Sequence, residues 1–373
     1  RILLACGVAS AVSASFNAPI AGVLFAHEVI LGHYAMSAIS PIAIAAVTGT
    51  VFSRLWFGDV AAFVIPGHQI TSYWEFPAFA LLGLVSALVA ILFQFALIGT
   101  DWVARNISMP VWLRPVIGGF AVGLIALVFP DVLGVGYETT DAALKDQLPL
   151  AMLFALLFAK TAATAITLAS RFGGGIFSPS LYLGAMTGGA FGLIAASVFP
   201  ELASSEGLYA ILGMGAVAAA VLGAPFSTTM IVFELTGGYT LSIALLLTVS
   251  IATGLTQAVH GKSYFHWLLG LRGYFVNDGI HRFLGETVKV KDFMDPPPAN
   301  EEDCIFRPGQ DGSYLHDTDS LESALKSFDS CGEASLPVVS TKDATRIVGQ
   351  ARHVKALNHF NSELIKANEE EHH

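Results

Sequence analysis

The sequence predicts an all-α, multi-pass membrane protein built from two related halves with broken helices, followed by a small α/β tail. Three observations carry that prediction. Hydrophobic residues make up 54% of the 373 residues and charged ones only 13%, with a mean hydropathy of +0.64, whereas a soluble domain carries about 25% charge. The segment 7–29, ending ASFNAPIAGVLFAHEV, returns 206 positions later as 213–235, ending AVLGAPFSTTMIVFEL. Gly7/Gly213, Ala14/Ala220, Ala18/Ala224, Pro19/Pro225 and Glu28/Glu234 coincide without a gap. Finally, the first 285 residues hold 12 Asp and Glu against 10 Lys and Arg, and the remainder 17 against 9, so the net charge of −10 resides mostly in the tail.

Each copy of the repeat is an apolar stretch broken by Ala-Pro, which resumes as a helix ending in one acid. Two halves that each carry a Pro/Gly-interrupted apolar segment point to a transporter with its ion site between them. Further apolar runs lie near 39–52, 76–99, 116–129, 148–169, 181–199, 208–222, 229–235 and 241–259. Several can span a hydrocarbon core of about 30 Å, which takes roughly 20 helical residues, and several are too short. Mixed lengths imply tilted and broken helices. Irregular backbone at membrane depth is tolerated only where protein buries it or it lines a polar cavity, which directs attention to Pro19, Gly173–Gly175 and Pro225.

After 266–272 the composition turns polar, and Arg272 and Arg282 flanking that point favour a cytoplasmic tail. The tail reads as KVKDFMDPPP, an acidic loop, a helix at 320–328, strands at 335–340 and 346–351, and a closing helix. The predicted organisation is a transmembrane domain over 1–285 and a cytoplasmic module over 286–373. The three cysteines, Cys6, Cys304 and Cys331, have no metal-ligand or CxxC spacing, so no redox role is expected. The chain opens on Arg1-Ile2-Leu3-Leu4 with neither a Met nor a signal-peptide pattern. The repeat partner of GGGIFSP would fall about thirty residues before Arg1, so the first half reads as incomplete.

Gly173–Gly175 followed by Ile-Phe-Ser-Pro places a helix N-terminus where no bulky side chain hinders approach. Free N–H groups and the positive dipole end attract an anion without a fixed charge. That suits a conducted ion, which must bind well enough to enter and weakly enough to leave. The alternative is that the glycines serve close helix packing.

GGGIFSP at 173–179, SFNAPIAGVLFAHEV at 15–29 and LGMGAVAAAVLGAPFSTTMIVFELT at 212–236 closely resemble the CLC family of chloride channels and chloride/proton antiporters. The resemblance runs over nearly all of 1–273 and implies a homodimer with one anion pathway per subunit, formed from two inverted halves. It implies that Gly175, Ile176, Phe177 and Pro179 form the Gly-x-Phe-x-Pro motif, with the amides of Ile176 and Phe177 facing the anion. The family's gate-glutamate segment and its Gly-Ser-Gly-Ile-Pro segment would lie upstream of Arg1. Where many antiporters of the family carry a second acid that passes protons, this chain has Val29. That leans towards a channel-like or atypical exchanger. The family's chloride-contacting tyrosine aligns with Phe265, beside Tyr264, so either side chain is a candidate for the pathway or for an interfacial aromatic belt.

Glu28 and Glu234 are intramembrane acids and functional candidates by default. Glu28 reads either as an inner-vestibule or proton-pathway group, with Val29 beside it, or as a local cap; Glu234 reads as structural. His27-Glu28 with His33 invites a zinc-hydrolase reading, but HExxH needs two ligands one helical turn apart and position 31 is Leu31. Lys160 and Arg171 either add positive potential at the anion entrance or anchor helix ends. The tail resembles a CBS module through VKDFMDP, DSLESALKSF, SLPVVS and RIVGQARHVKAL. It has room for one module where a working unit has two, and it lacks the usual Thr-x-x-Asp ribose contact. A packing or dimer-stabilising role is expected of it rather than nucleotide binding.

The function expected from the sequence is transport of chloride or a similar anion, channel-like or in exchange for protons, in a bacterial inner membrane. No enzymatic reaction, cofactor, metal or nucleic-acid partner is expected. The alternative is a non-conducting structural or regulatory subunit.

Overall fold

The computed structural model describes residues 2–58, 70, 72–200, 204–236, 241–261, 263–271, 285, 288–297, 306, 312–341 and 343–372. Arg272, Arg282 and Cys304 lie outside the described residues. The chain divides into two compact units, Arg1–Leu268 and Leu269–His373.

Among its described residues, the regular structure of the first unit is entirely helical. It begins with α1 (Ile2–Phe16) and α2 (Pro19–Phe25), the latter continued by a π-helix over Ala26–Leu31. There follow α3 (Met36–Phe57), α4 (Phe76–Asn106), α5 (Leu113–Val128), α6 (Tyr137–Leu144) and α7 (Leu150–Ala169). After α8 (Phe177–Val198), the second repeat copy lies in α9 (Glu206–Leu222) and α10 (Pro225–Thr236), and α11 (Ser242–His260) and α12 (Tyr264–Leu271) complete the bundle. All eight apolar runs read from the sequence fall on helices. The short, polar α6 has no such run and is not foreseen. Among the described residues five helical stretches are long and apolar enough to cross a membrane: Met36–Phe57, Phe76–Asn106, Leu150–Ala169, Phe177–Val198 and Ser242–Leu269.

In α4, Phe79, Leu82, Ser86, Phe93 and Leu97 are buried at helical spacing, while Leu81, Leu84, Leu88, Leu92 and Phe95 are exposed. A helix apolar on both faces is one whose outer face meets lipid. At the centre, every residue of α9 from Gly207 to Leu222 is buried. It packs backbone-to-backbone on α8: a Cβ at Gly188 would lie 2.0 Å from the Tyr209 carbonyl oxygen, and one at Gly184 2.4 Å from that of Gly213. Lipid tails are as apolar as Leu, so close contact through small residues is what holds such helices together.

The repeat is reproduced in detail. Asn17, which ends α1, has φ 54°, and Gly223, its counterpart after α9, has φ 69°. Ala18 N–H donates to Ser13 O as Ala224 N–H does to Ala219 O, and Gly22 N–H donates to Ala18 O as Thr228 N–H does to Ala224 O. A left-handed residue closing one helix allows proline to open the next at once.

The second unit holds α13 (Val290–Phe293), β1 (Leu315–His316), α14 (Leu321–Cys331), β2 (Ser335–Ser340), β3 (Asp343–Arg352) and α15 (His353–His372). The sheet order is β1-β2-β3, with β1 parallel and β3 antiparallel to β2. Leu321, Ala324 and Phe328 on one face of α14 pack into a core with Phe293, Leu315, Leu336 and Val338. Ser320 accepts the Ser323 N–H and Gly332 closes α14 at φ 68°, so both ends are capped as its sequence dictates.

Candidate anion-binding site

Between α7 and α8 the chain passes through Gly173–Gly175 without regular structure, and α8 starts at Phe177 after Ile176. No side chain caps this N-terminus. Pro179 in the first turn has no N–H, and Ser180 N–H already donates to Ile176 O, so the free amides of the opening turn are those of Ile176, Phe177 and Ser178. A Cβ at Gly173 or Gly175 would meet nothing within 4 Å, and one at Gly174 only Leu168 Cδ2 at 3.8 Å. The glycines therefore keep a space open and do not serve close packing.

That space is part of a cavity of about 550 Å³ reached by Gly173–Gly175, Phe177, Ser178, Pro179, Phe16 and Lys160. Phe177 packs on Phe16 at 4.7 Å between ring centroids and edge-on to Phe25 at 5.8 Å, joining the helix start of the second half to α1 and α2 of the first. Lys160, on α7, is 3% exposed. Its Nζ donates to Val132 O at 2.8 Å and Gly134 O at 2.9 Å and lies 4.9 Å from the Tyr182 ring centroid. Carbonyl dipoles and an aromatic face solvate this cation without cancelling its charge. Arg171, by contrast, is exposed, with φ 66°.

The glutamates of the repeat are placed reciprocally. Glu28 accepts the N–H groups of Phe226 (3.2 Å) and Ser227 (2.7 Å) and the Ser227 hydroxyl (2.7 Å) at the start of α10. Glu234, near the end of α10, accepts the N–H groups of Ile20 (3.1 Å) and Ala21 (2.7 Å) at the start of α2. The sequence raised local capping; the caps instead cross between the repeats. Val29 is half-buried against the main core.

Gly175, Phe177 and Pro179 thus line one cavity, with Ile176 buried at the helix start. Tyr264 and Phe265 do not line it. Tyr264 is 7% exposed and meets Phe265 edge-on at 5.9 Å, and Ser263 just before them abuts the Gly223 turn. His33 lies beyond the helix of His27, which ends at Leu31, and His27 Nδ1 meets the His33 carbonyl. Sequence reasoning missed Phe16, Phe25 and Tyr137, whose Oη lies 3.5 Å from Ser15 O at the cavity edge. Their part in the site arises from contact between the two halves, which no local pattern announces.

A sequence profile of the family described as voltage gated chloride channel matches residues 1–257. The chain belongs to this CLC family. It is 34% identical over 276 residues to the H(+)/Cl(-) exchange transporter ClcA of Cronobacter sakazakii, an alignment covering 72% of this chain and 58% of that protein. Among solved structures it is similar to a slow cyanobacterial Cl-/H+ antiporter, with a TM-score of 0.67 and 25% identity over 73% of this chain and 65% of that one. A CLC-type fluoride/proton antiporter shares the fold, with a TM-score of 0.59 and 22% identity over 69% of this chain and 63% of the other. The chain thus spans less than two thirds of the length of these relatives. Its mostly helical fold is that of CLC proteins, with a small three-stranded sheet in the C-terminal region.

Proposed function

We propose that this chain carries the second-half part of a CLC anion pathway and moves chloride or a similar anion, with protons as the coupled cargo. The observation that carries this reading is the uncapped start of α8. Amides from Ile176 to Ser178 stand there at a cavity that three glycines keep open and that a buried Lys160 keeps positive. Backbone dipoles and one charge held behind carbonyls attract an anion yet allow it to leave. The relatives named as Cl-/H+ exchangers support protons as the second cargo. Phe177 touching both α1 and α2 fits a pathway formed where the two halves meet.

In this reading the protein sits in a bacterial inner membrane as a homodimer, with residues 1–285 in the transport domain and the CBS-like tail, 286–373, in the cytoplasm. Gly175, Ile176, Phe177 and Pro179 form the anion site, and Tyr264 with Phe265 borders the pathway from α12. The tail serves packing.

Chloride efflux from liposomes containing the purified chain tests the reading. Efflux that falls when Gly175→Leu fills the open space supports it. Efflux equal to that of empty liposomes would contradict it.

A further inference from the structure

The turn that carries Glu28 holds a second titratable side chain that the anion cavity leaves unused. Beyond Phe25 the helix widens into the π-helix Ala26–Leu31, closed by Gly32 N–H donating to His27 O at 2.9 Å. Such wider turns move side chains off the α-helical register and are frequent at functional sites. His27 lies in this turn and is 1% exposed. Its Nδ1 is 3.1 Å from the His33 carbonyl oxygen. A carbonyl only accepts, so Nδ1 carries the hydrogen, and in the neutral ring Nε2 is left with a bare lone pair. Nε2 is buried and has no hydrogen-bond partner among the described residues. The ring stacks on Tyr34 at 5.8 Å and 14°, an aromatic face that favours a cation.

The adjacent residues leave this position to His27. Both oxygens of Glu28 are taken up by donors of α10, and the side chain of Val29 has no exchangeable hydrogen. Next to His27, the groups able to hold charge or a proton are Glu28 on the same turn and His33 and Tyr34 in the next loop. The apolar residues of the turn, Ala26, Ile30 and Leu31, belong to a cluster with Ala5, Cys6 and Ala9 of α1 and Ala38, Ile42 and Ala46 of α3, where Cys6 is the one titratable group.

We propose that His27 is a proton-binding group of this transporter, taking up at Nε2 the proton that Val29 cannot hold. The proposal rests on the proton-coupled form of the function proposed above. Uptake forms an N–H bond at Nε2 as water gives up a proton, and release returns the electron pair to Nε2. Imidazole suits this step because it gains and loses a proton within the physiological range.

The test is chloride-driven proton uptake in liposomes, comparing the chain with His27→Gln, which keeps an amide donor for the His33 carbonyl but cannot carry a proton. Proton uptake is expected to fall about a hundredfold while chloride flux persists. Undiminished proton uptake in the variant would overturn the proposal, as would chloride flux with no proton uptake in the parent chain. An inert parent chain would defeat the transport reading itself, and a second measurement then decides the proposal. In lipid nanodiscs containing ¹⁵N-histidine-labelled protein, the His27 ring is assigned through its contact with the Tyr34 ring. As the buffer is acidified, its Nε2 signal is expected to change from that of a bare nitrogen to that of a protonated one, with Nδ1 protonated throughout. An Nε2 that stays bare until the protein unfolds would overturn the proposal.

Discussion

Glu28 and Glu234 each cap the first turn of the helix that carries the other. Glu28 holds the amides of Phe226 and Ser227 at 3.2 and 2.7 Å, and Glu234 those of Ile20 and Ala21 at 3.1 and 2.7 Å. The two sets lie 206 positions apart in sequence, so the α2 end and α10 run antiparallel and satisfy each other's orphan N–H groups, for which lipid offers no partner. The clasp also joins the first half to the second at the place where each chain segment breaks.

Removing either carboxylate should therefore loosen the whole helical unit. Charge-assisted hydrogen bonds contribute about 1.5–3 kcal/mol, so Glu234→Ala is expected to cost roughly 2–4 kcal/mol. Glu28→Ala should cost about 1 kcal/mol more, because Glu28 also holds the Ser227 hydroxyl. Thermal unfolding of the detergent-solubilised variants, with Ser227→Ala as the third corner, checks the order. Equal stability of Glu28→Ala and the parent would refute the clasp.

The glycines should separate into two kinds. Gly188→Ala would drive a Cβ to 2.0 Å from the Tyr209 carbonyl, and backbone cannot yield as a side-chain end can, so this variant is expected to fail to assemble. Gly175→Ala enters open space and should leave the unfolding temperature unchanged, while larger side chains there reduce anion flux. Expression yield, size-exclusion profile and chloride efflux across the two series distinguish the outcomes.

Most of the fold was legible because the membrane enforces simple rules on it. Apolar runs became helices, Pro19 and Pro225 opened them, and the tail's helix at 320–328 and strand at 335–340 were read from their patterns, the helix running on to Cys331. Helix α6 was illegible because YETTDAAL has no apolar stripe of its own. Of the site, GGGIFSP stood out, since three glycines ahead of a helix have few other uses. The Phe16–Phe177–Phe25 contact did not, because it depends on segments more than a hundred residues apart meeting in space. The crossed capping was hidden for the same reason: an acid at a helix end reads locally, whereas its partners lie about two hundred positions away.

Lys160 should matter most when the anion is scarce. Lys160→Gln keeps a donor for the Val132 and Gly134 carbonyls but removes the charge. Chloride flux at low chloride is expected to fall about tenfold through lost electrostatic attraction. The deficit should shrink as added salt screens the parent protein. Initial rates against chloride concentration at two ionic strengths provide the check.

In the tail, the Lys355 hydrogen bond, helped by Arg352, holds the Asp295 carboxyl below its ordinary range, and hydrogen bonds from Thr341 and Thr345 do the same for Asp317 and Asp343. A carboxyl lowered by folding contributes stability above its unfolded value, near 3.9 for aspartate, and loses it as pH falls through the folded one. Protection factors of the β2 and β3 amides in the full chain should therefore be steady from neutral pH down to about pH 5 and fall below about pH 4. Asp295→Asn should remove part of that fall.

The central claim is that an anion binds at the uncapped start of α8, and heavy-halide diffraction addresses it most directly. Crystals of the chain grown in bromide should show an anomalous peak within hydrogen-bond reach of the Ile176 and Phe177 amides, lost when chloride replaces bromide. Bromide peaks elsewhere, with the cavity beside Gly173–Gly175 empty, would contradict the account.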